Sequence, residues 1–101
     1  MIAVDEYVIG VLLRDLVGHD RKPVCFLVYL WLLAEEQRRQ EPVDISYRDL
    51  AENLGVSKSS VQAAARWLIR RKLLAVKKAS VTATPRYSVL RPWKKTARSD
   101  H

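Results

Sequence analysis

Residues Ser46 to Leu74 constrain this chain more than any other stretch, because they hold two helix starts separated by one glycine turn. The Ser46 hydroxyl can accept from the free backbone N–H groups of a first helical turn. Asp49, three residues on, makes a shortened capping box and suits the positive end of the helix dipole. Leu50, Ala51 and Leu54 follow at helical spacing and form one apolar stripe. Gly55 then takes the left-handed conformation that ends a helix at least cost. Val56 is placed to tuck into the core at the corner, and Ser57 is a second N-cap. Val61, Ala64, Ala65, Leu68 and Ile69 repeat at the 3.6 period, which predicts a longer second helix over 57–71.

The outward side of that second helix carries the chemistry. With 100° per residue and Val61 at the centre of the buried stripe, Ser59, Ala63, Arg66 and Arg70 fall opposite, and Gln62 lies beside them. Ser57, Lys58 and Ser60 stand at its start. Small residues suit a close approach to base edges, and cations suit phosphates. Gln62 is able to pair with adenine and Arg66 with guanine. A basic helix face alone is more often a solvated surface, so the double-cap context is what directs it toward a DNA groove.

This text resembles the winged-helix family of bacterial transcriptional regulators. The matching residues are Leu50-Ala51-Glu52, Leu54-Gly55-Val56-Ser57, Ser60-Val61-Gln62, Leu68 and Leu73-Leu74. The resemblance spans roughly residues 23–93 and implies a mainly α fold with a small β-sheet (α+β). Expected are a three-helix core, a β-hairpin wing over 74–90 and an extra N-terminal helix. It implies further that helix 57–71 is a recognition helix for the major groove, with the wing on the DNA backbone. Dimers are common in the family, since paired half-sites raise specificity. One position departs from the pattern. Lys72 stands where many members have Gly, so a lysine must take positive φ or the helix must end differently.

Charge follows the same division. The chain is 101 residues long, enough for one domain with its own core, and carries a net charge of +7. Residues 1–50 hold 6 Lys/Arg against 9 Asp/Glu, and residues 51–101 hold 12 against 2. A basic half that coincides with the second helix, hairpin and tail points to a polyanion. In the hairpin, Leu74 to Val81 and Arg86 to Leu90 read as strands. Lys77 and Lys78 on the outgoing strand and Arg86 on the return are candidate backbone contacts; their other reading is protection of an edge strand. Residues 1–93 form the expected domain, with 94–101 a loose basic tail. Trp93 is expected to pack back on the domain.

The N-terminal half reads as structural. Val24 to Ala34 are uninterruptedly apolar, but too short for a bilayer, which needs about 20 residues. Asp20 is placed to cap this helix, Pro23 fits its first turn, and Glu35 to Gln40 ends it. A helix apolar all round needs cover on all sides. Val8, Ile9, Leu12, Leu13 and Leu16 predict a leading helix over 5–17 with Gly18 as its stop. The competing reading is a strand, because Tyr7-Val8-Ile9 favours β structure. Val43-Asp44-Ile45 is expected to pair beside the hairpin as a third strand. The leading and central helices can leave an apolar patch for a second copy, the other reading being a closed monomeric core. Trp67, on the shoulder of the second helix, either touches a sugar or phosphate or packs on a neighbouring element.

No catalytic or cofactor constellation is legible, and the chain does not read as an enzyme. Cys25 is a small core residue on this reading, and one cysteine fits a reducing cytoplasm. His19 and His101 lack ligand-spaced partners, so no metal site is expected. No signal pattern or second sensing domain is expected, which places the protein in the cytoplasm on the nucleoid. Two function classes stay open. One is sequence-specific double-stranded DNA binding, as a transcriptional regulator or a plasmid-type replication-initiator module. The other is a protein-interaction module that works through its apolar N-terminal helices.

Overall fold

The computed structural model describes residues 1–97; the end of the expected basic tail, 98–101, lies outside the described residues. The fold is mainly helical with a three-stranded antiparallel sheet, an α+β arrangement. The chain runs through a leading helical segment, then α1 (Pro23–Arg39), β1 (Val43–Asp44), α2 (Tyr47–Leu54), α3 (Lys58–Arg70), β2 (Leu74–Lys77), β3 (Arg86–Val89) and a 3₁₀ turn (Pro92–Ala97). That turn takes in the first residues assigned above to the tail.

Both predicted N-caps form. The Ser46 hydroxyl accepts from the Asp49 N–H at 3.0 Å, and the Ser57 hydroxyl accepts from the Ser60 N–H at 3.1 Å. Gly55 closes α2 with φ of 75°. The stripe of α3 is buried at Val61, Ala64, Ala65 and Leu68, and it packs on α1 and α2. Ile69 departs from the prediction and is 41% exposed. It lies about 80° from Val61 on the wheel, on the edge of the stripe and in the last turn.

α3 ends as a Schellman motif. The Lys72 N–H donates to the Ile69 carbonyl at 3.0 Å and the Leu73 N–H to the Leu68 carbonyl at 2.9 Å, with Lys72 at φ of 60°. Lysine therefore adopts the left-handed conformation that the missing glycine demanded. Leu73 and Leu74 are then delivered into the core.

The sheet order is β1-β3-β2, with Val43 opposite Tyr87 and Lys77 opposite Arg86. β2 is shorter than predicted. Pairing stops at Lys77, and the chain to Pro85 is a loop, since proline has no N–H to continue a ladder. The Tyr87 hydroxyl is fully buried and has no hydrogen-bond partner among the described residues; burial pushes its pKa up.

α1 is covered unevenly. Cys25, Phe26, Val28, Tyr29, Leu32 and Leu33 are buried, whereas Leu27 is 42% exposed. Cys25 is a core residue, its thiol pushed up to about 11 by burial. The Tyr29 hydroxyl donates to the Leu90 carbonyl at 2.9 Å, and the Glu36 carboxylate accepts from the Val89 N–H at 3.0 Å, so α1 is bolted to β3. The predicted Asp20 cap is absent. Lys22 occupies the N-cap of α1 without a side-chain bond, and Asp20 turns instead toward α3, where it accepts from Trp67 at 2.9 Å and from Arg71. A charge-assisted bond to arginine offers Asp20 more than one cap bond would.

The leading segment is a helix rather than a strand, but wound with π turns at Val8–Leu12 and Arg14–His19. It runs through Gly18 to His19, so the predicted end at residue 17 falls two residues early. Val8, Leu12 and Leu16 face the core at intervals of four. Its start is clasped to the end of the described chain. Tyr7 stacks on Trp93 at 4.4 Å between ring centroids, and Asp5 accepts from the Trp93 indole at 3.3 Å and faces Arg91 at 3.7 Å. Among the described residues no helix is long and apolar enough to cross a membrane.

Candidate nucleic-acid interface

α3 presents a bare cationic side. Lys58, Ser59, Ala63, Arg66 and Arg70 are exposed, and Ser60 and Gln62 are half-buried. The burial pattern follows from the wheel. Alanine at 64 and 65 lets α3 press closely on α1, and the polar positions are left on the far side. Among the described residues no carboxylate pairs with Lys58, Arg66, Arg70, Lys77 or Lys78. Their charge is therefore directed to solvent.

The serines at the start of α3 are engaged. Ser57 caps the helix and lies 2.8 Å from the Ser60 hydroxyl and 3.2 Å from that of Ser59. Their hydroxyls hold the first turn in place, with Ser57 and Ser59 exposed and Ser60 half-buried.

The turn between α2 and α3 brings the start of α3 beside the hairpin. A groove of about 220 Å³ runs between them, lined by Lys58 on one wall and Lys78 with Thr82 to Pro85 on the other. Arg48 lines the same groove and was not singled out from the sequence. A signal for it existed. Arg48 is the second residue of α2, where a cation opposes the helix dipole, although its guanidinium also lies 3.7 Å from Glu52 one turn on. Lys77 closes β2 and is exposed; Lys78 lies just past the strand.

Arg86 joins this set least well. It begins β3 but lies 3.8 Å from both Glu41 and Asp44. The hollow on the hairpin's other side is lined by Asp44 together with Lys77, Lys78 and Arg86, but of these cations only Arg86 lies within 4 Å of the acid. Between α1, β1 and α2 a largely acidic cleft of about 790 Å³ is lined by Glu35, Asp44, Asp49 and Glu52 together with Arg39. The acidic cleft adjoins the basic groove, since Ser46 and Thr84 line both, and Arg86 stands at the border.

Lys22 was also missed. It belongs to the loop before α1 and has no local motif, yet its ammonium lies 4.6 Å from the centroid of the Trp67 ring on α3. Only the packing of α1 on α3 makes them neighbours. Trp67 itself is half-buried, with its indole N–H committed to Asp20, so of its two readings the packing one describes its inner edge. Comparisons with protein-family models, with curated proteins and with solved structures each return no match to this chain.

Proposed function

We propose that this chain binds double-stranded DNA as a winged-helix module, with α3 in the major groove and the β2–β3 hairpin on the backbone. The observation that carries the reading is the unpaired, solvent-facing row Lys58, Arg66 and Arg70 on a helix whose opposite side is core. A helix in a groove about 12 Å wide meets bases along its centre and phosphates at its edges. Ala63 and Gln62 lie at the centre, and Lys58, Lys77 and Lys78 lie toward the hairpin edge. Regulation of transcription in the cytoplasm is the role such a module would serve.

The test is a duplex-binding titration against salt. If Arg66, Arg70, Lys77 and Lys78 all contact phosphate, log K falls against log[salt] with a slope near −3.6, at about 0.9 per contact. Arg66→Ala is expected to cost about 1–3 kcal/mol of specific binding if it reads a base. Binding that ignores salt would end this reading.

A second reading is favoured by one observation. Ile9 (52% exposed), Leu13 (37%) and Val17 (37%) form an outward stripe on the leading helix, beside the exposed Tyr7. Such a stripe suits a second copy of the chain or another protein. Sedimentation of the parent and of Leu13→Glu separates the cases: a dimer that Leu13→Glu dissolves supports a pairing face, and a monomer at every concentration removes the second copy.

A further inference from the structure

The two flanks of α3 are built alike in charge but differ in construction. Lys58 and Trp67 are nine residues apart, which places them about 180° apart around the helix axis. Lys58 faces the hairpin. Trp67 faces the loop that enters α1, and two cations lie over its ring: Lys22 at 4.6 Å and Arg70 at 5.7 Å from the centroid. Between that loop and α3 is a cleft of about 240 Å³, lined by Arg21, Lys22 and the small residues Ser60, Ala63 and Ala64.

We propose that Lys22 and Arg70, held over Trp67, form a second phosphate-binding flank that grips the DNA strand opposite the one met by the hairpin. The inference rests on the DNA reading of α3 and extends it to both backbones of the groove.

The ring is what makes the flank specific. Its indole N–H is fixed by Asp20 at 2.9 Å, and Asp20 is tied in turn to Arg71. Arg71 also reaches Asp15 at 3.2 Å, so Asp20 and Asp15 are both engaged by Arg71. Lys22 and Arg70 are left with the π-face and solvent as neighbours. A cation already held over a tryptophan face is partly ordered before it meets a phosphate, which lowers the ordering cost of the contact. The small side chains of Ser60 and Ala63 leave room for a phosphate to approach between the loop and the helix. The hairpin and this flank then stand on either side of Ala63 and Arg66, as the two rims of a groove stand on either side of its bases.

The experiment uses the full chain and a random-sequence duplex of about 20 base pairs, with affinity measured across a salt series. Lys22→Gln is expected to make the slope of log K against log[salt] shallower by about 0.9, the loss of one phosphate contact. Lys22→Arg should keep the parent slope. Arg38→Gln removes the same charge at the far end of α1 and should also keep it, which separates a contact from a change in net charge. If the parent binds with a salt slope, Lys78→Gln makes it shallower and Lys22→Gln does not, the second flank is overturned while the DNA reading stands. A parent with no salt-dependent duplex binding overturns both. Lys22 is exposed, and an unchanged melting temperature confirms that each variant is folded.

Discussion

The α2–α3 pair and the leading helix are built on opposite principles. In the pair, cap, apolar period and turn residue agree: Ser46 and Ser57 bond the first turns, and Gly55 turns the corner at φ of 75°. The leading helix has no side-chain cap on either π segment, contains Gly10 and Gly18, and presents a buried row only one residue wide. Glycine and β-branched residues are poor helix formers. It is held by what it touches: the packing of α1 beneath it, the Tyr7–Trp93 stack and the Asp5 bonds. Local agreement makes an element that forms from its own signals. An element without it depends on the rest of the fold.

The largest expected effect comes from breaking the pair's side of this contrast. Leu68 is fully buried where α3 meets the rest of the core, so Leu68→Ala should cost about 2–5 kcal/mol, read from the urea midpoint. Leu13, 37% exposed on the leading helix, should change stability by no more than about 0.5 kcal/mol when replaced by alanine. If Leu13→Ala costs several times that, and the cost grows with protein concentration, the outward stripe is buried against a second copy. The leading helix would then depend on a partner as well as on α1.

A smaller effect belongs to the join between the two regions. Asp20 follows the leading helix and bonds Trp67 on α3 and Arg71 just past its end, with its side chain 4% exposed. Burial alone would raise its pKa, but hydrogen bonds from His19 and Trp67 and the charge of Arg71 outweigh burial and hold it below its ordinary value. A carboxylate lowered on folding stabilises the native state above the unfolded pKa of about 3.9, and that stability is lost as pH falls through the folded value. Asp20→Asn should cost about 1–3 kcal/mol at pH 7. The gap between variant and parent should narrow as pH falls below about 4. A gap that stays constant down to pH 2 would assign the effect to packing and remove Asp20 as an ionic link.

Legibility in the sequence follows the same contrast. Ser46, Gly55, Ser57 and the 3.6 period of α3 are local signals, and each lies where the pattern placed it. The third strand at Val43 and the exposed cations Lys58, Arg66 and Arg70 were readable for the same reason. What escaped depends on residues far apart in the chain. Lys22 meets Trp67 across 45 positions, and Asp20 prefers an arginine 51 positions away to the helix start beside it. Arg86 looked like a free hairpin cation, but antiparallel pairing with Asp44 brings it to acid. The π winding of the leading helix had no signal, because its apolar residues fit an α-helix and a π-helix nearly as well.

The smallest expected effect sharpens the contrast at a single residue. Gly55 and Lys72 both end helices in the left-handed region, at φ of 75° and 60°. Glycine enters that region freely, whereas an L side chain pays about 1–2 kcal/mol. Lys72→Gly removes that strain but frees the unfolded chain by about 0.5–1 kcal/mol. It also removes a cation from the negative end of α3, which is worth a few tenths of a kcal/mol. The net expectation is a gain below about 1 kcal/mol, seen as a small rise in the urea midpoint with an unchanged slope. Lys72 lies past the end of α3 and outside the row Lys58, Arg66 and Arg70, so duplex affinity should not follow the gain. A fall in stability would mean that the lysine stem packs on the hairpin base strongly enough to offset the strain. The Schellman turn would then be held from outside, as the leading helix is, and the contrast between the two regions would end at the last turn of α3.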